Sequence, residues 1–299
     1  SRLSEAAEEV SQNIASRQDL PDFADRRDEV GQMGRAFRAM TSALYRRIEA
    51  SEKFAADVAH ELKNPLAAAR STAEALTYAR SQEDRDELVK QIQDELKRLN
   101  RLINDVSNAS RLDAELARQH MQPTNVRMVL TNVTGIFRDI LSDDSRGIRL
   151  TIEPGANEAE LTVLGNDGRL GQVFTNLIDN ALSFSPEGGT VTVHARPVSG
   201  SVEVFVDDEG PGIPEDRLQT IFERFYSDRP ATDAKRGKNS GLGLSISREI
   251  ILSHRGIIYA ENRAAPSEGK MTGAKIPGAR FIVRLPRANW AGGPLDRNG

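Results

Sequence analysis

The chain has no cysteine among its 299 residues. That excludes a disulfide framework, a thiolate zinc site and a cysteine nucleophile together. Aromatic residues are scarce, 5% against 28% charged, a balance that suits long, surface-rich helices joined to a modest core. No stretch approaches the roughly 18 apolar residues of a helical membrane span. Neither sign of charge dominates, with 40 basic side chains against 44 acidic ones. A dedicated nucleic-acid binder carries a basic face, so nucleic acid is not an expected partner.

What is present begins with helical periodicity. In "DEVGQMGRAFRAMTSALYRRI" the residues Val30, Met33, Phe37, Met40, Leu44 and Ile48 recur at three- and four-residue spacing, a coiled-coil-like seam. A weaker seam runs through Leu3, Ala7, Val10 and Ile14, and "SRQDLPDFADRR" reads as a non-helical connector. Such short amphipathic helices bury little alone, so a bundle built from two chains is expected. A ridge of Phe54, Val58, Leu62 and Leu66 follows. A second helix carries Leu88, Ile92, Leu96, Leu99, Leu102 or Ile103, Val106 and Leu112, with a turn near "YARSQEDRDE". These read as an antiparallel hairpin that makes a four-helix bundle on dimerisation.

After Pro123 the pattern changes. "NVRMVLTNVTGIFRDIL" is helix-like, "IRLTI", "TVTVHA" and "VEVFVDD" alternate as strands, helices are expected near 167–184 and 241–254, and "IIYAEN" and "RFIVRLP" close the set. The expectation is an α+β domain with helices on one face of a single sheet and a frayed tail after Pro286.

In "DVAHELKNPL" His60 lies about 200° around the helix from both Val58 and Leu62, so it points away from the ridge. An exposed neutral imidazole attacks phosphorus through one ring nitrogen when a carboxylate holds the proton on the other, and Glu61 is placed for that. Asn64 lies one turn further on the same face, and Pro65 removes a helical N–H and permits bending. His120, His194 and His254 lack such settings and are expected to be structural or surface residues.

A phosphate acceptor requires a donor site. "NLIDNA" sets Asn176 and Asn180 four apart, able to offer oxygens to Mg²⁺ and donors to phosphate, although ordinary helix polarity explains the pair equally well. "VDDEGPGIP" follows a strand. Asp208 at the strand end suits an exocyclic adenine amine, and Gly210 and Gly212 admit a flat base, although a plain Gly-Pro turn reads the same way. "NSGLGLSIS" places Gly241 and Gly243 where a helix N-terminus can receive phosphate oxygens. Between them, "FERFYSDRPATDAKRGKNS" looks like a lid. Phe222 and Phe225 would be its apolar hinge, with Phe225 at the nucleotide, and Arg229, Lys235, Arg236 and Lys238 would be free for phosphate. A simple surface loop coexists with that reading.

"HELKNP" resembles the phosphoacceptor box of sensor histidine kinases. The later segments, in order, resemble the N, G1, F and G2 boxes of that family's Bergerat-type ATP domain, and "GARFIVRLP" resembles its closing strand. The resemblance covers about 50–287, while "DEVGQMGRAF" is similar to the second helix of a HAMP module, and within the family the chain resembles the ChvG type. It implies residues 1–49 as a HAMP-like module, 50–118 as a dimerisation and phosphotransfer hairpin, 119–287 as the catalytic ATP-binding domain and 288–299 as a disordered tail. It also implies a homodimeric autokinase using ATP and Mg²⁺. On that resemblance His60 would be phosphorylated with help from Glu61 as the catalytic domain swings on a hinge near 118–124. The resemblance further implies that the phosphoryl group passes to an aspartate of a response-regulator receiver domain and that Asn64 would support phosphatase activity toward that regulator. A membrane-spanning sensor region ahead of the chain is implied, which makes this the cytoplasmic portion of a bacterial inner-membrane protein. Two positions depart from the family pattern: Ser183 stands where a basic residue is usual, and Asn239-Ser240 where a further glycine is frequent. Two rival readings are the ATPases that share the nucleotide fold and lack a bundle histidine, and a degenerate signalling scaffold.

Overall fold

The computed structural model describes residues 29–116, 121–141, 145–226, 241–263 and 278–289. The first HAMP-like helix and its connector, the basic lid residues Arg229, Lys235, Arg236 and Lys238, Asn239-Ser240, His120 and positions 290–299 lie outside the described residues. Packing divides the chain into two units, Ser1–Lys63 and Asn64–Gly299.

Helix α1, Glu29–Leu76, runs through that boundary. The domain border read at 49–50 is not a helix break, because "RRIEASEKFAAD" contains no glycine or proline to interrupt it. Pro65 sits inside the helix and is buried. In the first unit Met33, Met40 and Leu44 of the seam are exposed in the single chain.

In the second unit α1 ends at Leu76, and α2, Gln82–Leu116, begins after a short turn. The start is encoded locally. The Asp84 N–H donates to Ser81 Oγ at 3.0 Å and the Ser81 N–H to Asp84 Oδ2 at 3.4 Å, a reciprocal cap from Ser-x-x-Asp. The ambiguity between neighbouring apolar residues resolves in favour of Leu102, which is buried while Ile103 is exposed.

The α/β domain opens with β1, Gln122–Asn125, and continues as α3, Val126–Ile140, and β2, Gly147–Ile152. Next come β3, Thr162–Gly165, α4, Asp167–Phe184, β4, Thr190–Val198, and β5, Ser201–Asp207. It ends with α5, Gly243–Ser253, β6, Ile257–Asn262, and β7, Ala279–Pro286. The main sheet has order β2-β4-β5-β7-β6, with β2 and β4 parallel and the other pairs antiparallel. Val191, Val193 and Ala195, Val202, Val204 and Val206, and Phe281, Val283 and Leu285 occupy one face of their strands by alternation and are buried. Helix α4 contributes Leu170, Val173, Phe174, Leu177 and Ile178 to the same core.

The opposite face is held by ions and rings. The Phe205 ring has the Arg196 guanidinium 4.9 Å from its centroid, that of Arg280 at 4.8 Å, and His194 stacked at 5.9 Å. Glu203, 1% exposed, bonds to both Arg196 and Arg284, which offsets the cost of burying a carboxylate.

Two features are absent from the sequence reading. Strands β1 and β3 form a separate antiparallel ribbon, so Gln122–Thr124, read as part of a hinge, are paired backbone of the α/β domain. Pairing also continues past Pro286: the Arg287 N–H donates to the Gly200 carbonyl and the Ala288 N–H to that of Thr162, one residue into the segment read as tail.

His254 is a buried tie. Its Nδ1 lies 2.7 Å from the Ile250 carbonyl and its Nε2 accepts the Asn166 N–H at 3.1 Å. Both bonds are made only by the neutral tautomer with the proton on Nδ1. Burial pushes its pKa below the ordinary histidine value, against the partial opposition of the Ile250 bond. A depressed pKa means the unfolded chain takes up the proton first. The stabilisation is therefore present above the unfolded value of about 6.5 and is lost as pH falls from there through the folded value. Wild-type stability should decline on acidification from pH 7.5 to 5.5 more steeply than that of His254→Gln. The difference in slope should be at most roughly 1.4 kcal/mol per pH unit, read by denaturant melts across that range.

Candidate active site

The acceptor residues lie on α1. His60 and Asn64 are exposed and Glu61 is half-buried. With 3.6 residues per turn, His60 and Asn64 share a helix face and Glu61 flanks it. The buried Pro65 follows directly, so the Glu61 carbonyl lacks its usual helical donor.

In the α/β domain a cavity of about 660 Å³ opens between α4, the loop after β5, and the N-terminus of α5. Its wall includes Asn176, Asn180, Asp208, Gly212, Gly241 and Gly243, so six of the nucleotide-site residues read from sequence are brought together. Gly210 and Phe225 are not in that wall. They brace it from behind. The Gly210 N–H donates to Asp208 Oδ1 at 2.8 Å, and a Cβ there would meet the Phe184 carbonyl oxygen at 2.9 Å. The Phe225 N–H donates to the Gly241 carbonyl at 3.0 Å. Both residues are left-handed, at φ 61° and 72°, and a Cβ on Gly241 would lie 2.8 Å from the Phe225 backbone. Arg236 and Lys238 lie outside the described residues.

The two asparagines are not equivalent. Asn176 Nδ2 donates to the Gly243 carbonyl at 3.1 Å and to Ser247 Oγ at 3.3 Å, fastening α4 to α5 and leaving Oδ1 for another partner. Asn180, one turn on, makes no side-chain hydrogen bond among the described residues. Helix α5 has no side-chain N-cap, and Gly243 and Leu244 of its first turn line the cavity. Uncapped amides at a helix start suit an anion. Ser183 turns its hydroxyl back onto the Asn180 carbonyl at 2.6 Å and is not in the cavity wall.

Asp208 is 3% exposed. Its Oδ1 accepts the amides of Gly210 and Ala279, at 2.8 and 2.9 Å, while its own N–H donates to the Ala279 carbonyl. Burial raises its pKa. The two amide bonds and the Arg263 charge oppose that rise, and the neighbouring Asp207 adds to it. With Oδ1 occupied, Oδ2 remains to accept from a ligand donor in the cavity. The cavity also carries residues the sequence reading missed: Gln172, Asp179, Asn262, Arg217 and Tyr226, with Arg101 and Asp105 of α2. Arg217 donates to the Tyr226 hydroxyl at 2.9 Å. Asp179 lies inside "NLIDNA" and Tyr226 directly after Phe225, and Gln172 shares α4 with the two asparagines, whereas Asn262, Arg101 and Asp105 stand in none of the nucleotide motifs and enter through elements distant in sequence. No group of three or more His, Asp or Glu side chains able to hold a metal occurs among the described residues.

Comparison with known proteins bears on both parts. The HisKA model, His Kinase A (phospho-acceptor) domain, matches residues 50–115, and HATPase_c, the histidine kinase-, DNA gyrase B- and HSP90-like ATPase, matches 165–289. The Sensor protein ChvG of Agrobacterium fabrum is 45% identical over 292 residues, 96% of this chain and 48% of that protein. The chain belongs to the sensor histidine kinases. The crystal structure of full-length ShkA in complex with AMPPNP matches with TM-score 0.52 and 26% identity over 82% of this chain and 47% of that one. Histidine kinase ThkA in complex with response regulator protein TrrA matches with TM-score 0.61 and 24% identity, over 81% and 64% of the two chains, a likeness of fold. The chain spans about half the length of the curated relatives it matches. The HisKA match separates it from the ATPases that share only the nucleotide fold, and no helix among its described residues is long and apolar enough to cross a membrane.

Replacing Asp208 by asparagine removes the charge but keeps the shape. Adenine-nucleotide binding by Asp208→Asn should weaken about 10- to 100-fold, the worth of one hydrogen bond to a charged group. Wild-type affinity should fall as pH is lowered through the raised Asp208 pKa, because the protonated acid is the weaker acceptor. The variant's affinity should be flat over that interval in calorimetric titrations.

Proposed function

We propose that this chain is the autokinase portion of a two-component sensor, transferring the γ-phosphoryl of ATP to His60 and then to an aspartate of a response-regulator receiver domain. The observation that carries the reading is the pairing, in one chain, of an exposed His60 beside a half-buried Glu61 on a HisKA-type helix with a cavity whose polar groups suit a nucleotide from base to phosphate.

At the base end, Asp208 Oδ2 accepts the exocyclic amine of adenine, and Gly212 admits the ring without a side chain in the way. At the phosphate end, the first-turn amides of α5 receive phosphate oxygens. Mg²⁺, when bound, would supply neutralisation of the charge on the transferring phosphoryl group. Asn180 and the free Oδ1 of Asn176 are the neutral oxygens that would hold it, and they add no negative charge beside the triphosphate. With Ser183 turned away from the cavity, the phosphates depend on these donors and on the lid residues Arg236 and Lys238.

At the acceptor, His60 attacks through one ring nitrogen while Glu61 holds the proton on the other and stabilises the charge that develops. Phosphoryl transfer asks the protein chiefly for alignment and charge neutralisation, and these groups supply both. Asn64, on the His60 face, positions water when the reaction runs as phosphatase toward the phosphorylated regulator.

The exposed apolar residues Leu66, Val89, Leu96 and Ile103 of the hairpin support a homodimer, since they lack cover in one chain. The domain plan we propose is a HAMP-like module over 1–49, the hairpin over 50–118 and the ATP-binding domain over 119–287. A membrane-spanning sensor region precedes them in the whole protein, which would sit in the bacterial inner membrane with this portion in the cytoplasm.

The test is incubation with γ-labelled ATP and Mg²⁺, using wild type and His60→Ala. Label should appear on the wild type only, labile to acid and stable to base as a phosphoramidate is. Label on His60→Ala, or none on a wild type that still binds ATP, would sink the assignment.

A further inference from the structure

The loop carrying Asp208 is held at both ends by two consecutive residues that belong to none of the nucleotide motifs. Asn262, the last residue of β6, accepts the Ile213 N–H on Oδ1 at 2.7 Å and donates from Nδ2 to the Ile213 carbonyl at 2.7 Å. A side-chain amide thus pairs with Ile213 as a neighbouring strand would. It does so at the one residue of "PGIP" flanked by prolines and glycine, where backbone pairing has few donors. Both Asn262 and Ile213 line the cavity.

The next residue, Arg263, grips the other end. Its Nη1 donates to the Asp208 carbonyl at 2.8 Å, and its own N–H donates to the Gly278 carbonyl at 3.0 Å. Its guanidinium also lies 3.7 Å from the Asp207 carboxylate, which Arg280 holds in a bidentate pair at 2.7 and 2.8 Å. The approach is close: a Cβ on Gly278 would fall 2.0 Å from the Asp208 carbonyl oxygen.

We infer that Asn262 and Arg263 are positioning residues that set the base selectivity of the cavity, Arg263 by fixing the backbone of Asp208 and Asn262 by fixing the loop at Ile213. The inference rests on the adenine-nucleotide reading above. Adenine offers an amine where guanine offers a carbonyl oxygen, which a carboxylate repels. That difference counts only if Oδ2 and the loop opposite cannot move apart. A site built around one hydrogen bond rejects the analogue lacking it strongly, and a misplacement of about 1 Å costs on the order of 100-fold. A loop rich in glycine and proline has no regular pairing of its own to prevent such a shift.

The experiment measures dissociation constants for the imido analogues of ATP and GTP on wild type, Asn262→Leu and Arg263→Met, with thermal melts of each. Wild type should prefer the adenine analogue. In both variants adenine affinity should fall about 10- to 100-fold with guanine affinity little changed, so the selectivity ratio collapses. Equal losses for both nucleotides, preserving the ratio, would reduce these residues to general stability and overturn the inference. So would unchanged binding of both. If Asn262→Leu does not fold, Asn262→Ser, which is uncharged and too short to pair with both the N–H and the carbonyl of Ile213, should give a lowered ratio, and a wild-type ratio there overturns the role of Asn262. A wild type that binds neither analogue would instead remove the nucleotide reading itself.

Discussion

Everything at the cavity of the α/β domain depends on how helix α4 is buried. Leu170, Phe174, Leu177 and Ile178 are inaccessible to solvent against the sheet, and each contributes roughly 1.5–3 kcal/mol relative to exposure. Their spacing fixes the rotation of the helix, and that rotation carries Asn176 and Asn180 to the cavity edge. Asn176 then uses one side-chain nitrogen to hold the first turn of α5 in place. The apolar face of one helix therefore orients both the amides of α4 and the uncapped N-terminus of α5. In this domain the packing and the site are one construction seen from two sides.

Asp208 is the counterpart on the sheet. A carboxylate this far from water is costly, and the domain offsets the cost with fixed dipoles and a cation while leaving the charge without a direct ion-pair partner among the described residues. Two backbone amides hold Oδ1, and Arg263 acts through the carbonyl of the same residue. A side-chain partner on Oδ2 would have made the fold more stable and closed the site. The arrangement keeps one acceptor oxygen committed to the cavity, and its raised pKa is the physical trace of that compromise. The neighbouring Asp207, with nearly the same local sequence, points by strand alternation to the other face of the sheet and is neutralised there by Arg280.

The acceptor helix follows a different logic. Over 48 residues α1 carries no interruption except Pro65, five positions after His60. A proline in a helix interior removes one hydrogen bond and crowds the preceding turn, at roughly 3 kcal/mol. Placing that defect beside Glu61 and Asn64 concentrates the helix's weakest turn directly after the exposed His60. The ridge before it remains apolar and half-buried.

Much of this was determined by the sequence alone. The helices and strands of the α/β domain follow from apolar periods of 3.6 and 2, and the acceptor and nucleotide motifs are short runs whose chemistry is local. Asn176, Asn180, Asp208 and the glycines could be singled out because each motif holds its own members within a few positions. What only the tertiary structure decided are the contacts that close the site over long distances in the chain. The Asn262–Ile213 clamp joins residues 49 apart, the Arg263–Asp208 bond residues 55 apart, and the His254–Asn166 tie residues 88 apart. The ribbon of β1 with β3 is of the same kind, since strands this short carry little pattern of their own. Gly210 and Phe225 make the distinction within single motifs: their residue types were legible, but whether they face the cavity or brace it depends on what packs behind them. Periodicity records which face of an element is buried. It holds no record of which distant polar group that burial brings into reach.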